Sequence, residues 1–178
     1  MINTTPDDLF KIIEVLNSHG VHFVIVGGYG ARLLGSGMPT KDIDVCPQDS
    51  IENFTKLIGA MKELNARYKN APEGVDIPFD PWLFRNIQIA NWVTDYGDLD
   101  VINGIPSEDK TVLVKFDELM SRAKEFQDDK LTIFVASLED IIISKRSANR
   151  EKDHKSLPAL EAMLAAQNKF IPEPPQIE

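Results

Sequence analysis

The chain has 178 residues, of which 43% are hydrophobic, and this size fits one well-packed domain better than two. Its formal net charge of -9 argues against a protein that coats nucleic acid broadly and nonspecifically. No apolar run is long enough to cross a bilayer, and no basic segment followed by a hydrophobic stretch opens the chain. We therefore expect a cytoplasmic protein without a membrane partner, in which the single cysteine, Cys46, is a buried thiol.

The first elements predicted along the chain are a helix, a strand and a second, short helix. Thr5 and Pro6 are residue types of a helix N-cap and first turn, and Gly20 marks the end of that helix. The apolar run at 21–26 predicts a buried strand, and a short helix follows at 29–34.

Strands and helices continue to alternate beyond residue 40, which predicts a mixed α/β domain. Further strands are predicted at 42–45, 84–93, 99–102, 111–116 and 130–135, and further helices at 51–61 and 117–124, after Ser137 and from Pro158. Residues 94–97 are expected to form a hairpin turn, and residues 70–82, rich in Pro, Gly and acids, a surface loop. We expect one domain over 1–168 with a helical C-terminal part, and a Pro-rich, disordered tail over 169–178.

Asp42 and Asp44 are the most informative residues, because they stand two apart in the apolar run at 42–45. Side chains two apart on a strand point to the same face, so these carboxylates lie side by side. Like charges so close are unfavourable unless a positive group joins them, and Mg²⁺ suits such oxygen ligands. The preceding pair, Gly27 and Gly28, can bring backbone N–H groups close to a phosphate. Together these features suggest metal-assisted chemistry on a nucleoside triphosphate.

A third carboxylate, Asp100, stands between apolar residues in the later strand at 99–102. From a neighbouring strand it would complete a two-metal site with Asp42 and Asp44, as a metal ligand or as the general base. Asp98, the other acid of this second Asp-x-Asp pair, is expected to belong to the hairpin turn. Each part alone has an ordinary explanation: a polar strand edge for the acids and a tight turn for the glycines.

The order of these motifs resembles the polymerase-beta-type nucleotidyltransferase superfamily, which has a glycine pair, a short helix, an Asp-x-Asp/Glu pair and a third acid on an adjacent strand. A smaller resemblance is to bacterial minimal and AbiEii-like nucleotidyltransferases, which include toxins of toxin–antitoxin pairs and lincosamide-type antibiotic-modifying enzymes. These proteins often carry a late Lys…Arg-x-x-Lys-Asp segment, matched here by Lys145, Arg150, Lys152 and Asp153. Tyr29 stands where many relatives carry a serine after the glycine pair.

The resemblance implies a nucleotidyltransferase fold, with a mixed β-sheet flanked by helices, and transfer of a nucleoside monophosphate from an NTP. It implies that Mg²⁺ or Mn²⁺ is held by Asp42, Asp44 and Asp100, which also act in catalysis. It implies a nucleotide-binding set of Gly27, Gly28, Thr40, Lys145 and Arg150. It also implies catalytic roles for Lys145 and Asp153, which stand eight residues apart on one predicted helix and would form the far wall of the site.

Several alternatives stay open. Between 144 and 155 five basic side chains stand against two acidic ones, and such a run on a helix is usually a solvated face. For Asp153 the alternative is an ion pair with Arg150, three residues earlier. For the whole chain, the alternative to an enzyme is a noncatalytic nucleotide-binding or interaction module. One example is one half of a toxin–antitoxin pair, with an antitoxin protein as its partner. The acceptor hydroxyl is also open: tRNA, a small molecule such as an antibiotic, or a protein.

Overall fold

The computed structural model, which describes residues 5–72, 78–127 and 131–169, is a mixed sheet with helices on both faces. Its strands are β1 (Phe23–Val26), β2 (Asp42–Pro47), β3 (Arg67–Tyr68), β4 (Ile89–Thr94), β5 (Gly97–Ile102), β6 (Ile105–Pro106), β7 (Leu113–Val114), β8 (Lys124–Gln127) and β9 (Thr132–Val135). Its helices are α1 (Pro6–Ser18), α2 (Gly27–Leu33), α3 (Ile51–Glu63), α4 (Pro81–Asn86), α5 (Phe116–Ser121), α6 (Leu138–Ala148) and α7 (Glu151–Lys169). Within these ranges every helix falls short of the length and apolar character that a membrane span needs.

Seven strands form one sheet in the order β3-β4-β5-β2-β1-β9-β8, while β6 and β7 pair separately. At the centre of the sheet, β2 pairs antiparallel with β1 and parallel with β5. The β2–β5 register sets Asp42 opposite Asp98 and Asp44 opposite Asp100. The predicted mixed α/β fold is confirmed, and the register brings the two Asp-x-Asp motifs onto adjacent strands.

The sheet separates two hydrophobic cores, because successive side chains of a strand point to opposite faces. On one face Ile43 and Val45 pack among buried residues of α1 and α3. On the other face Cys46 packs with buried residues of α2, α6 and α7, and burial raises the pKa of its thiol to about 12, as expected for a packing group. The alternation along β2 therefore leaves Asp42 and Asp44 on the face where α2, α6 and α7 lie.

Three helices begin at the cap residues that the sequence predicts. Thr5 opens α1 with a capping box, in which its hydroxyl accepts from the Asp8 amide and the Asp8 carboxylate accepts from the Thr5 amide. Ser50 and Ser137 cap α3 and α6 by accepting a hydrogen bond from the amide three residues on. Gly20, with a φ of +66°, follows the end of α1.

Two predicted strands are wrong over much of their length. The segment 84–93 is a helix before it is a strand, because Asp80 caps α4 and Pro81 fills its first position. Only the second half of that segment, in β4, is extended. The segment 111–116 contains only the two residues of β7, since Phe116 already begins α5.

Other boundaries shift by a few residues. The short helix predicted at 29–34 begins at Gly27, two residues earlier. The helix predicted at 117–124 ends at Ser121. Lys124, the last residue of the predicted helix, instead begins β8, a strand that the sequence did not predict. The strand predicted at 130–135 is confirmed from Thr132 onward. Residues 73–77, 128–130 and 170–178, which include most of the predicted tail, lie outside the described residues.

The basic segment forms two helices instead of the single predicted one. After α6 the chain turns at Asn149, whose φ of +52° and ψ of +34° are left-handed, and α7 then begins at Glu151. Asparagine is one of the few residue types that tolerate this conformation well. Pro158 was predicted to open the last helix, but it lies inside α7.

A buried ion pair connects the start of α6 to the end of α5. The side chain of Asp140 is 5% exposed and accepts from Arg122 at 3.1 Å from Nε and 2.7 Å from Nη2. The Ser137 hydroxyl also donates to Asp140, at 2.7 Å. Bidentate arginine–carboxylate pairs are geometrically specific, so this pair fixes how the two helices meet.

Asp140→Asn is expected to lower the free energy of unfolding by about 1–3 kcal/mol, because Arg122 loses its bidentate acceptor. Urea unfolding measures this difference. The matched control is Glu118→Gln, which removes an exposed i,i+4 partner of the same arginine and should cost about 0.5 kcal/mol or less. Equal effects of the two substitutions would show that the buried pair does not stabilise the fold.

Candidate active site

The site begins where β1 runs directly into α2 at Gly27. The φ of Gly27 is +64°, a left-handed conformation that favours glycine. A Cβ atom at this position would overlap the carboxylate of Asp44, so the turn lies directly against that side chain. The sequence predicts a phosphate-binding turn here, and the structure adds that its first glycine makes room for an acidic residue of β2.

The three predicted metal ligands come together where β2 and β5 lie side by side. Asp42 and Asp44 share one face of β2, and Asp100 of β5 is the residue paired with Asp44. Asp98 was expected in the hairpin turn, but it lies in β5, and its carboxylate forms an ion pair with Lys69. The parallel pairing of β5 with β2 therefore places Asp100 on the strand next to Asp42 and Asp44, as the sequence predicts.

Thr40 connects the glycine turn to the carboxylates. Its hydroxyl donates to Asp42 Oδ1 at 2.7 Å. A Cβ atom on Gly28 would lie 2.8 Å from the same hydroxyl oxygen, so the second glycine and Thr40 are packed closely. The hydroxyl of Thr40, predicted to bind nucleotide, thus orients the carboxylate of Asp42.

The carboxylates destabilise one another electrostatically. Burial, followed by the charges of Asp42 and Asp100, raises the pKa of Asp44 to about 7. Burial also raises the pKa of Asp100, and a hydrogen bond from the side chain of Asn91 on β4 opposes part of that rise. The Oδ1 atom of Asp100 is buried and has no hydrogen-bond partner among the residues that the structure describes. A buried acceptor without a donor is costly, so this atom is suited to a cation.

These residues fit a divalent metal ion in the chemistry of their donors. All three offer carboxylate oxygens, which hard cations such as Mg²⁺ and Mn²⁺ prefer. Over residues 5–72, 78–127 and 131–169, no three His, Cys, Asp or Glu side chains already have the arrangement of a formed metal site. Mutual repulsion of carboxylates gives a physical reason for this, since they would close around a point only when an ion compensates their charge.

A second group of charges lies at the corner between α6 and α7. The carboxylate of Asp153 has no exposed surface and lies 3.3 Å from Lys145 Nζ and 2.8 Å from Arg150 Nε. The ion pair between Asp153 and Arg150, which the sequence analysis gave as the alternative for Asp153, is therefore present. Lys145 also lies next to Asp153, as predicted. The two residues meet across the helix break and not along one helix face.

An open cleft of about 710 Å³ joins the two groups of charges. The polar part of its lining includes both glycines of the turn with Thr40, Asp42 and Asp44, and also Lys145 and Arg150 from the corner between α6 and α7. The remainder, which includes Ile89, Ile102, Ile105, Pro106 and Leu160, is mostly apolar. Such a cleft can take a ligand that has both a charged part and a less polar part.

Three lysines at the cleft were not predicted as site residues. Lys41, Lys152 and Lys155 all line it, and Lys152 Nζ lies 3.8 Å from Asp42 Oδ2. Lys152 belongs to the late Lys…Arg-x-x-Lys-Asp motif, but the spacing of that motif gives no reason to place Lys152 next to Asp42. Only the turn at Asn149 brings the start of α7 to that position.

Two solved structures show the same fold at low sequence identity. The lincosamide antibiotic adenylyltransferase LnuA, solved with lincomycin bound, is 17% identical, with a TM-score of 0.60 over 89% of this chain and 98% of that one. ANT(2")-Ia, solved in complex with adenylyl-2"-tobramycin, is 16% identical, with a TM-score of 0.57 over 92% of both chains. No curated protein sequence matches the chain.

A protein-family model decides the assignment, because it matches nearly the whole described chain. The model, described as "Nucleotidyltransferase of unknown function (DUF6036)", matches residues 7–165. This range contains the glycine turn, all three carboxylates and the corner between α6 and α7. The chain therefore belongs to this nucleotidyltransferase family.

Proposed function

We propose that the protein is a metal-dependent enzyme that transfers a nucleoside monophosphate from an NTP to a hydroxyl group. The observation that carries the proposal is the pairing of Asp44 with Asp100, beside Asp42 and the turn at Gly27. The Oδ1 atom of Asp100, which is buried and has no hydrogen-bond partner within the described part of the chain, supports it, since a cation would give that atom a partner. The membership of a nucleotidyltransferase family agrees with this chemistry.

In this reaction the acceptor oxygen forms a bond to the α-phosphorus, the bond from that phosphorus to the β-phosphate breaks, and pyrophosphate leaves. When bound, divalent metal ions supply positive charge at the phosphates and lower the pKa of the attacking hydroxyl. Asp42, Asp44 and Asp100 would hold those ions, and Thr40 fixes the orientation of Asp42. The proton of the hydroxyl passes to a carboxylate of this group or to water.

The rest of the polar lining would hold the triphosphate. Backbone N–H groups at Gly27 and Gly28 can donate to phosphate oxygens, because no Cβ atom blocks the approach. Lys145 and Arg150, which also line the cleft, would neutralise the charge of the triphosphate, the first as a point charge and the second as a planar fork. Tyr29, which replaces the serine of many relatives, is buried and adds no hydroxyl to the cleft lining.

The structural neighbours suggest which acceptor molecules to test first. Two of them, by name, are a lincosamide antibiotic adenylyltransferase and a protein solved in complex with adenylyl-2"-tobramycin. ATP and a small hydroxylated molecule are therefore the first substrates to test. A tRNA acceptor, and with it the action of a toxin paired with an antitoxin, is the second possibility and is tested by the same labelling reaction.

Asp42→Asn is expected to lower nucleotide transfer by about two orders of magnitude or more, because it removes a charged metal ligand without changing the size of the side chain. The measurement is incubation of the purified protein with each α-labelled NTP, Mg²⁺ and a cell extract, followed by identification of the labelled molecule. The matched control is Asp49→Asn, whose side chain is 29% exposed against 31% for Asp42 and forms ion pairs outside the site.

Undiminished labelling by Asp42→Asn would contradict the proposed role of the carboxylates. An absence of labelling by the unaltered protein with every NTP, together with no rise in melting temperature on adding NTP and Mg²⁺, would favour the noncatalytic interaction module.

The metal-free protein is expected to lose stability as the pH rises from about 4 to about 7. The folded-state pKa of Asp44 is about 7 and its ordinary value is 3.8, so folding favours the protonated acid and ionisation opposes folding within that window. Asp44→Asn should flatten this part of the stability–pH curve, measured by urea unfolding in the presence of a chelator. Near pH 7.5, Mg²⁺ should raise the melting temperature of the unaltered protein but not of Asp44→Asn. Equal responses of the two proteins would show that Asp44 neither ionises within the window nor binds the metal.

Gly27→Ala is expected to abolish metal-dependent transfer, because its Cβ atom would displace the carboxylate of Asp44. The matched control is Gly20→Ala. Gly20 has nearly the same φ, +66° against +64°, but open space where the Cβ atom would go. Both substitutions should cost about 1 kcal/mol of stability from backbone strain, and only the first should remove activity. Loss of activity in both variants, or in neither, would contradict this role of Gly27.

A further inference from the structure

We propose that Asp153 is a positioning residue, which holds Lys145 and Arg150 in the orientation that binds the triphosphate, and does not itself act on the substrate. This inference rests on the proposed function, since it assigns the phosphate-binding role to the two cations. It replaces the catalytic role that the late sequence motif suggested for Asp153.

The burial of Asp153 separates it from the reacting atoms. Its carboxylate has no exposed surface, so it cannot reach a substrate or a metal ion in the cleft. The side chain of Lys145 is 13% exposed and that of Arg150 is 59% exposed, and both residues line the cleft. The acid therefore lies behind the two cations, which line the cleft while Asp153 does not.

The contacts of Asp153 fix both cations at once. Lys145 Nζ donates to Oδ1 at 3.3 Å, while Arg150 donates to Oδ2 from Nε at 2.8 Å and from its own backbone amide at 3.3 Å. Asp153 therefore accepts from one edge of the Arg150 guanidinium and from one N–H group of the Lys145 ammonium. A guanidinium has five N–H donors and an ammonium three, so each keeps donors for another acceptor.

The helix break makes this arrangement possible. Lys145 lies in the last turn of α6 and Asp153 in the first turn of α7, and the left-handed residue Asn149 lies between the two helices. The Asp153 amide donates to the Arg150 carbonyl oxygen at 2.9 Å, which closes the turn on the same residue. The carboxylate thus connects the backbone of the corner to both side chains.

The energetics favour a permanent ion cluster at this corner. Burial alone would raise the pKa of Asp153, but the hydrogen bonds and charges of Arg150 and Lys145 outweigh it and hold the pKa below its ordinary value. A charged Asp153 in turn restrains two long side chains that would otherwise lose rotamer freedom on binding a ligand. Restraint before binding is the general way in which positioning residues increase affinity.

The test compares Asp153→Asn with Asp140→Asn, in the full chain. Asp140 is a buried acid held by an arginine at the other end of α6, so its loss perturbs stability without touching the cleft. For each protein, ATP affinity is measured by calorimetry in the presence of Mg²⁺, Mn²⁺ affinity without nucleotide by electron paramagnetic resonance, and melting temperature without ligand. Asp153→Glu, which keeps the charge, is measured in parallel and substitutes for Asp153→Asn where the latter does not fold.

We expect Asp153→Asn to weaken ATP binding about tenfold or more while Mn²⁺ affinity stays within about twofold, and Asp140→Asn to change neither. Asp153→Glu should retain part of the ATP affinity. In a double-mutant cycle, Asp153→Asn should add less than half of its original effect when Lys145→Ala is already present, because both act through one contact.

Unchanged ATP affinity in Asp153→Asn would overturn the inference and leave Asp153 a purely structural residue. A fall in Mn²⁺ affinity with unchanged ATP affinity would also overturn it, in favour of a role at the metal. The proposed function fails separately: if the unaltered protein binds no NTP, the phosphate-binding role of Lys145 and Arg150 fails as well, whatever the variants do.

Discussion

The parallel pairing of β2 with β5 is the constraint on which the rest of the site depends. Its register places Asp44 opposite Asp100, and the two-residue period of β2 adds Asp42 on the same face. The sheet thus brings three carboxylates together, and burial, with the neighbouring like charges as a smaller cause, raises the pKa values of Asp44 and Asp100. Proteins retain such unfavourable clusters at functional sites, where a ligand of opposite charge compensates them.

Two turns complete the site, and each depends on one unusual backbone conformation. At the first, the left-handed Gly27 leaves room for the Asp44 carboxylate. At the second, the left-handed Asn149 directs α7 back so that Asp153 can hold Lys145 and Arg150. Asp42, Asp44 and these two cations then line one cleft, a suitable arrangement for a ligand that combines phosphates with metal ions.

Much of the spatial arrangement of the candidate site could be predicted, because its signals are local. A glycine pair between a strand and a helix, and acids two apart in a strand, are visible within a few residues, and all three predicted carboxylates lie together. The corner between α6 and α7 could not be predicted, because nothing in the spacing of Lys145 and Asp153 distinguishes a continuous helix from two helices. The proximity of Lys152 to Asp42 depends on that corner and was missed for the same reason.

The fold shows the same division between local and non-local information. Caps at Thr5, Ser50 and Ser137 were readable from single residue types, whereas Asp80 and Pro81 turned an apolar segment that resembles a strand into α4. Strand order and register come from long-range pairing and leave no short motif.

The most direct test of the proposed metal-dependent site is a crystal structure with Mn²⁺ and a nonhydrolysable NTP analogue, with the metal located by its anomalous scattering. The account predicts Mn²⁺ bound by Asp42, Asp44 and Asp100, with the triphosphate between the turn at Gly27 and the side chains of Lys145 and Arg150. A nucleotide bound without metal contact to these carboxylates, or a metal bound elsewhere, would contradict it.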